Sequence, residues 1–439
     1  MTDMTTSGDG RRVLVVGLGI SGLATAVRLH RSGWRPLIIE RAPARRKGGY
    51  FIGLFPPGMS SARRLGVLDA MGDRTARDGI TYEVDRLGRR RPSMSFTDIP
   101  GQPRVLMRGD IENGLFTSLP DDVEVRFSTV PTAIAQDDRG TSVTLTNTRS
   151  GQTTTERFDL VVGADGLRST VRQLVFGAHE QFLHSLGYMI GACIMSRPVP
   201  DLDLHDGMIL AEAGRSAWVF PFADSNPGLL FSYRVDAVGP EFARPPIESL
   251  RKAYGPEPTG PLLTHFLKEF EAAEEPLFDA VQQVRMPRWH QGRVVLVGDS
   301  AWCLTLYSGM GASTGLAGSE LLGDMLDRYP GDPAGALAAW ERELRPFITD
   351  LQARGVKMRQ FFTPGSEIER FLRSATLRLL ESRFTRPIFH RLLGDRQNSI
   401  DIVARVSSNI EATPAASPGS SLPRRSNDLR PPDLVRRPG

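Results

Sequence analysis

Cysteine is scarce in this chain of 439 residues, which contains only Cys193 and Cys303. Two cysteines so far apart supply neither a disulfide framework nor the close spacing of a metal site. We therefore expect no bound metal and a cytoplasmic protein, because a reducing compartment does not require disulfides. Lysine is scarce as well, and the formal charge of +4 is small for this length. Because no basic run is interleaved with aromatic residues, we predict no nucleic-acid partner.

Long hydrophobic runs are also missing. The apolar stretch at residues 13–27 is too short and too rich in glycine to span a bilayer. Arg11-Arg12 before it and Ala24-Thr25-Ala26 within it loosely resemble a secretory signal, but cleavage there would destroy the best-formed unit of the chain. We therefore predict no membrane association, and the 40% hydrophobic and 24% charged content is typical of a globular protein.

One βαβ unit dominates what is present. An apolar run at residues 13–16 predicts a buried parallel strand, residues 23–31 have helical spacing, and residues 37–39 predict a second buried strand. Gly17, Gly19 and Gly22 lie between the first strand and the helix in the order G-x-G-x-x-G, and Glu40 ends the second strand. The three glycines permit a tight turn, a close backbone approach to a pyrophosphate, and close packing of helix on strand, while Glu40 suits a ribose hydroxyl. This pattern predicts a dinucleotide site without separating FAD from NAD, and a glycine-rich turn without a ligand is the alternative.

Two later segments also place a glycine and an acidic residue directly after a predicted buried strand. Asp165-Gly166 follows a predicted buried strand at residues 158–162, and Gly298-Asp299 follows another at residues 293–297. Gly309, Gly311 and Ala312 then precede a predicted helix. Asp299 on its own is more typical of a helix N-cap, because it stands before a turn. Its context with Gly309 and Gly311 favours a contact with the cofactor instead.

The middle of the chain has a different pattern. Residues 179–290 are mainly strand-like, residues 123–158 predict short antiparallel strands, and residues 60–71 predict a helix. In one run Trp218, Phe220 and Phe222 share a face by the two-residue period of a strand. That face either forms the floor of a pocket for a flat apolar ligand or packs against a helix.

The chain has three corners in which glycine and an acidic residue follow predicted buried strands: Gly17–Gly22 with Glu40, Asp165-Gly166, and Gly298-Asp299. Together they resemble the single-component FAD-dependent aromatic hydroxylases, the family of p-hydroxybenzoate hydroxylase. The resemblance covers about residues 11–325. Arg108 with Ile111 and Leu115 also fits that family's Arg-x-x-Leu-x-x-x-Leu helix. The implied fold is α/β, with a glutathione-reductase-like Rossmann domain that binds FAD, an inserted substrate domain with a mainly antiparallel sheet, and a helical C-terminal region.

The expected domain boundaries follow from this fold. We expect an FAD-binding domain from three segments, a substrate domain from two segments, C-terminal helices, and disordered ends. The boundaries are 11–78, 104–178 and 286–333 for the first domain, 79–103 and 179–285 for the second, 334–406 for the helices, and 1–10 and 407–439 for the ends.

The resemblance also implies roles for individual residues. Glu40 would bind the adenosine ribose, Arg108 the pyrophosphate or ribityl region, and Asp299 the ribityl chain. Asp165 lies in the segment that serves both FAD and nicotinamide. Gly309, Gly311 and Ala312 would lie against the isoalloxazine edge. A basic loop that begins at Arg41 either contacts a phosphate of the cofactor or of NADPH, or is an ordinary solvated loop.

The expected reaction is the hydroxylation of an aromatic or polycyclic small molecule through a flavin C4a-hydroperoxide, with O2 and NADPH or NADH. Epoxidation, Baeyer–Villiger insertion, or reduction of the flavin by a separate flavin reductase stay open, as does a reductase or oxidase of the same fold. The chain departs from the family pattern at Trp302, Leu306, Ser313 and Gly318, where the family has His, Pro, Asn and Asp.

No catalytic residue is assigned, because the cofactor carries the difficult chemistry. Tyr50, His184, His205 and Tyr233 are loose candidates for a substrate base, but the pattern favours a structural role for each. For the substrate pocket we name a set of five aromatic residues: Tyr50, Trp218, Phe220, Phe222 and Tyr233.

Overall fold

The protein was analysed as a computed structural model, which describes residues 10–46, 48–99 and 101–381. The predicted loose N-terminus up to residue 9, the predicted helical continuation over residues 382–406 and the predicted disordered tail from residue 407 lie outside the described residues. The division into domains stays a prediction.

The described residues form strands and helices with the following bounds. The strands are β1 Arg12–Val16, β2 Arg35–Ile39, β3 Phe51–Leu54, β4 Thr81–Val84, β5 Arg90–Ser93, β6 Arg104–Met107, β7 Glu124–Arg126, β8 Thr129–Asp137, β9 Gly140–Asn147, β10 Thr153–Phe158, β11 Leu160–Gly163, β12 Leu183–Ile194, β13 Gly207–Glu212, β14 Arg215–Phe220, β15 Gly228–Arg234, β16 Leu277–Val284, β17 His290–Gln291 and β18 Val294–Leu296. The helices are α1 Ile20–Arg31, α2 Pro56–Arg64, α3 Arg108–Phe116, α4 Thr170–Val175, α5 Gly239–Phe242, α6 Pro246–Tyr254, α7 Gly260–Ala272, α8 Asp299–Trp302, α9 Gly311–Arg328, α10 Pro333–Phe362 and α11 Glu367–Glu381. Short 3₁₀ helices cover Phe96–Asp98, His179–Gln181 and Leu306–Ser308.

The main sheet has the strand order β17-β18-β11-β1-β2-β7. β1 pairs in parallel with β2 on one side and with β11 on the other, and β11 pairs in parallel with β18. The central strands are buried on both faces, which explains their continuous apolar sequences. Since parallel strands end at the same edge, the carboxyl ends of β1, β11 and β18 lie side by side there.

The second sheet has the order β16-β12-β15-β14-β13-β4-β5 and is antiparallel except between β13 and β4. Its strands alternate in character by the two-residue period. One face packs against α6 and α7 through residues such as Val219 and Phe231. The opposite face, which carries Trp218 and Phe220, faces a cavity.

Two sequence predictions about local structure are wrong. The helix predicted over residues 60–71 is α2, which begins at Pro56 and ends at Arg64, because proline is well tolerated in the first turn of a helix. The strands of residues 123–158 are not all antiparallel: β7 pairs in parallel with β2 at the edge of the main sheet. The remainder, β8 to β10, is an antiparallel three-stranded sheet as predicted.

The last helices connect the two sheets. α9 packs against α1 and α2. α10 begins at Pro333, where the Asp332 side chain accepts a hydrogen bond from the Gly335 amide, and it continues to Phe362 beside the second sheet. Among the described residues, no helix combines the length and apolar character needed to cross a membrane.

Candidate functional site

The three corners, at Gly17–Gly22, Asp165-Gly166 and Gly298-Asp299, meet at the carboxyl edge of the main sheet. A Cβ atom placed on Gly17 would lie 2.5 Å from the carbonyl oxygen of Ala164, the residue before Asp165. A Cβ on Gly298 would overlap the side chain of Ser21 in the first turn of α1. Asp299 therefore lies beside the Gly17–Gly22 corner, which the sequence interpretation required.

The first corner requires glycine for two separate reasons. Gly17 has a φ of +106°, a conformation that side chains rarely adopt, and its amide donates a hydrogen bond to the Ile39 carbonyl. A Cβ on Gly22 would lie far inside van der Waals contact of the Gly17 carbonyl oxygen. Gly19 is the N-cap of α1 and supplies no capping side chain. The amides of this helix start can therefore receive an anion.

Glu40 ends β2 next to this corner. Its Oε2 accepts a hydrogen bond from the Leu18 amide at 2.9 Å, and its Oε1 accepts one from the Ala42 amide at 2.9 Å. Both bonds hold the carboxylate at the end of the strand, and each oxygen retains lone-pair capacity for a ribose hydroxyl. Arg41 follows on the exposed side of this loop and is outside the cavity lining.

Arg108 and Asp299 lie on the cavity wall with Tyr50. Arg108 starts α3 and forms an ion pair with Glu112 at 2.7 Å. Asp299 faces the cavity, and its loss of hydration raises the pKa of the carboxyl, an effect that the Arg108 charge opposes. Burial likewise raises the pKa of Tyr50, so its phenol is protonated at neutral pH. Asp299 is the first residue of α8 and Gly298 is its N-cap, so the alternative of an Asp299 N-cap does not describe this helix.

Asp165 follows β11 and accepts a hydrogen bond from the Val171 amide at 3.1 Å through Oδ2. Its Oδ1 is buried without a hydrogen-bond partner among the described residues. Burial raises the pKa of this carboxyl. A buried polar atom is normally paired, so this oxygen is an exception at the edge of the main sheet. Asp165 itself is outside the cavity lining, which its neighbours Ala164 and Gly166 form.

Gly309, Gly311 and Ala312 line the same cavity at the start of α9. Gly309 has a φ of +65°, and Met310, the N-cap of α9, makes no side-chain capping bond. This helix start therefore presents backbone amides and the positive end of its dipole to the cavity.

The cavity measures about 1310 Å³ and continues from these polar corners to the second sheet. Its far wall is aromatic. Phe51 stacks on Phe220 with ring centroids 4.1 Å apart, and Trp218 lies parallel to Phe220 at 6.0 Å. Phe362 of α10 packs on Trp218 at 4.8 Å, so this wall both lines the cavity and contacts a helix. Both sequence interpretations of the Trp218 face therefore describe part of it.

Two predicted pocket residues lie elsewhere. Phe222 follows the end of β14, is fully buried and is outside the cavity lining. Tyr233 is outside the cavity lining and belongs to the core cluster that packs against α6 and α7. Its hydroxyl donates to Glu241 at 2.8 Å. Of the other base candidates, His205 lines the cavity and His184 is exposed outside it.

Sequence reasoning missed part of the wall. Phe51, Phe96, Tyr307 and Phe362 line the cavity, but they come from four separate segments and no local period connects them. Two departures from the family pattern prove to be paired in space: a Cβ on Gly318 would lie 2.9 Å from the Trp302 ring. The Trp302 ring packs in a cluster with Trp289 and Trp340. Ser313 accepts a hydrogen bond from the Phe55 amide at 3.2 Å.

The residues present fit FAD. Two helix starts without capping side chains and the glycine corner at Gly17 lie at one edge of the sheet with Arg108 and Asp299. A dinucleotide needs amides and a cation for its phosphates and carboxylates for its hydroxyls, and these groups supply both. Within the part of the chain that the structure describes, no group of three or more His, Cys, Asp or Glu residues could hold a metal.

Comparison with known proteins agrees with this fit. Residues 11–334 match a family model described as an FAD binding domain. An uncharacterized protein of Mycobacterium tuberculosis is 30% identical over 397 residues, covering 84% of this chain and 99% of that protein. A flavin-dependent monooxygenase of Legionella longbeachae is 26% identical over 372 residues, covering 82% of this chain and 91% of that one. The crystal structure of tetracycline destructase Tet(55) superposes with a TM-score of 0.70 at 25% identity, covering 84% of this chain and 95% of that chain. This chain therefore belongs to the family of FAD-dependent monooxygenases that resemble the aromatic hydroxylases.

Proposed function

We propose that this FAD-dependent monooxygenase hydroxylates a flat aromatic or polycyclic small molecule, with NADH or NADPH as the electron donor. One oxygen atom of O2 enters the substrate as a hydroxyl group in place of a hydrogen atom. The two electrons of the nicotinamide reduce the other oxygen atom to water. Bound FAD supplies the redox chemistry, and the protein binds, orients and excludes water.

One observation supports this proposal above the others. A single cavity of about 1310 Å³ has part of the predicted FAD contacts along one end and an aromatic wall at the other. Gly19, Arg108 and Asp299 line the first end, and Trp218 and Phe220 line the second. Because the glycine-lined start of α9 lies on the same cavity, a flat substrate against the aromatic wall would face the reactive part of the cofactor.

The side chains divide the work by their chemistry. Arg108 would neutralise phosphate charge, and Asp299 and Glu40 would accept hydrogen bonds from hydroxyls of the cofactor. The start of α9 would stabilise negative charge that develops on a reduced flavin. The aromatic wall would hold an apolar ring system and keep water away from it. No side chain is assigned as substrate base.

The experiment is an assay of the purified protein loaded with FAD. We expect NADH or NADPH oxidation to require O2 and to accelerate with candidate phenols and polycyclic compounds, and mass spectrometry to show a product heavier by one oxygen atom. Tetracycline belongs in the panel, because the solved relative is a tetracycline destructase. Labelling with ¹⁸O2 should place the heavy isotope in the product.

Two results separate this function from the alternatives. Nicotinamide oxidation that continues without O2 beyond a single reduction of the bound FAD would indicate a reductase and contradict the proposal. Turnover only after a flavin reductase is added would keep the monooxygenase function but replace direct NAD(P)H use by a partner protein. Asp85→Asn, which removes a charge from the turn between β4 and β5 outside the cavity lining, is a suitable control for nonspecific loss.

A further inference from the structure

The loop of residues 303–310, which joins α8 to α9, is strained at Thr305. This residue has a φ of +80°, which is unusual for a β-branched side chain, and its Oγ1 is buried without a hydrogen-bond partner among the described residues. A backbone of this kind is energetically unfavourable and persists only when surrounding contacts hold it. The next residue is Leu306 and not proline, so no proline ring restricts the φ of residue 306.

Tyr307 supplies such a contact. Its side chain is 2% exposed, and its hydroxyl forms a hydrogen bond of 2.7 Å with the Ser232 hydroxyl on β15. Its ring lies 5.9 Å from the Tyr188 ring and 5.6 Å from the Phe362 ring. Burial raises the pKa of Tyr307, so its phenol is protonated at neutral pH and acts as a hydrogen-bonding group.

The Ser232 hydroxyl belongs to a buried network that ends at the aromatic wall. Thr363, the C-cap of α10, donates to Ser232 at 2.9 Å and also bonds to the Ser216 hydroxyl at 3.0 Å. Ser216 in turn accepts a hydrogen bond from the Trp218 indole N–H at 3.1 Å. The hydroxyls of Ser216, Ser232 and Thr363 are fully or almost fully buried. The network therefore joins the 303–310 loop, the end of α10 and the Trp218 wall.

We propose that Tyr307 is a positioning residue that fixes the 303–310 loop and, through it, the start of α9 that receives the flavin ring. The Tyr307–Ser232–Thr363–Ser216 network also connects that loop to Trp218. The network therefore fixes the position of the cofactor end of the cavity relative to the substrate end. Buried networks of this kind rigidify a site when every member is paired. The inference depends on FAD binding and is independent of the identity of the substrate.

The test uses FAD affinity and the visible spectrum of the bound flavin. Tyr307→Phe keeps the ring and removes the hydroxyl, and we expect FAD to bind about three- to tenfold more weakly, as for one lost buried hydrogen bond. We also expect a shifted absorption band and altered flavin fluorescence. Ser232→Ala should give the same changes, although Ser232 is outside the cavity lining. The double variant should add little to either change, because both remove the same bond.

Tyr233→Phe is the matched control. It also removes a buried tyrosine hydroxyl, but this tyrosine is on β15 and its hydroxyl bonds to Glu241. We expect it to lower thermal stability without changing FAD affinity or the flavin spectrum. Unchanged FAD affinity and spectrum in Tyr307→Phe, or equal shifts in Tyr233→Phe, would overturn the proposal. If Tyr307→Phe does not fold, Ser232→Ala decides between the same two outcomes.

Discussion

The two ends of the cavity are built in different ways. The cofactor end uses backbone geometry: glycines where side chains cannot fit, helix starts without capping side chains, and a few charges such as Arg108 and Asp299. The substrate end uses side-chain surface, mainly the rings of Phe51, Trp218 and Phe220. Substitutions at the first end should therefore affect FAD. Substitutions of the wall rings outside the Tyr307 network should affect the substrate and leave FAD bound.

The largest effect is expected at Gly17. Gly17→Ala would place a Cβ 2.5 Å from the Ala164 carbonyl oxygen at a φ of +106°. We expect at least about a hundredfold weaker FAD binding and a colourless purified protein, because both the strain and the clash distort the corner. Titration with FAD measures this. Gly239→Ala, where a Cβ meets nothing within 4 Å, should bind FAD normally.

A smaller effect is expected at Arg108. Arg108→Ala removes the cation on the cavity wall, and charge-assisted hydrogen bonds contribute about 1.5–3 kcal/mol. We therefore expect FAD to bind about ten- to a hundredfold more weakly, measured by fluorescence titration. Arg77→Ala removes an exposed arginine that pairs with Asp73, and it should leave FAD affinity unchanged. Equal FAD affinity in both variants would contradict the assignment of Arg108 to the cofactor.

The same contrast explains what the sequence could predict. Gly17, Gly22, Asp165 and Asp299 follow buried strands at fixed spacing, and a backbone requirement of this kind leaves a local pattern that a single sequence displays. The seven-stranded sheet was also predictable in character, because alternation of apolar residues marks its strands.

The aromatic wall could be predicted only in part. Trp218 and Phe220 share a strand and a period, whereas Phe222 lies past the strand end and Tyr233 packs in the core against α6 and α7. Tyr307 and Phe362 reach the wall from distant segments, and only tertiary packing brings them together. The pairing of Trp302 with Gly318 is of the same kind, because the small residue makes room for the large ring 16 positions away.

At the substrate end, Phe220→Leu should have a moderate and selective effect. The substitution removes the stack on Phe51, and aromatic pairs contribute about 0.5–1.5 kcal/mol beyond their area. We expect kcat/KM for the substrate to fall by up to about tenfold while FAD affinity stays the same. Phe242→Leu, at an exposed ring outside the cavity, is the control. A loss of FAD from Phe220→Leu would mean that the two ends are not separable.

The last contrast concerns the two thiols, one near each end, and involves no change in function. Burial raises the pKa of Cys193 to about 12, and burial together with Asp299 raises the pKa of Cys303 well above its usual value. Since only the thiolate reacts, alkylation at pH 8 should be slow at both sites in the native protein and at least about tenfold faster after unfolding in urea. Peptide mass spectrometry measures each site separately. Rapid native labelling of Cys193 would contradict its buried position in the second sheet.

The most direct test of the account is a crystal structure of the protein with FAD bound. We expect the pyrophosphate at the Gly17–Gly22 corner beside Arg108, the ribityl chain within hydrogen-bonding distance of Asp299, and the flavin ring between the start of α9 and the Trp218–Phe220 wall. FAD bound outside this cavity, or with its ring turned away from the aromatic wall, would contradict the claim that one cavity holds cofactor and substrate together.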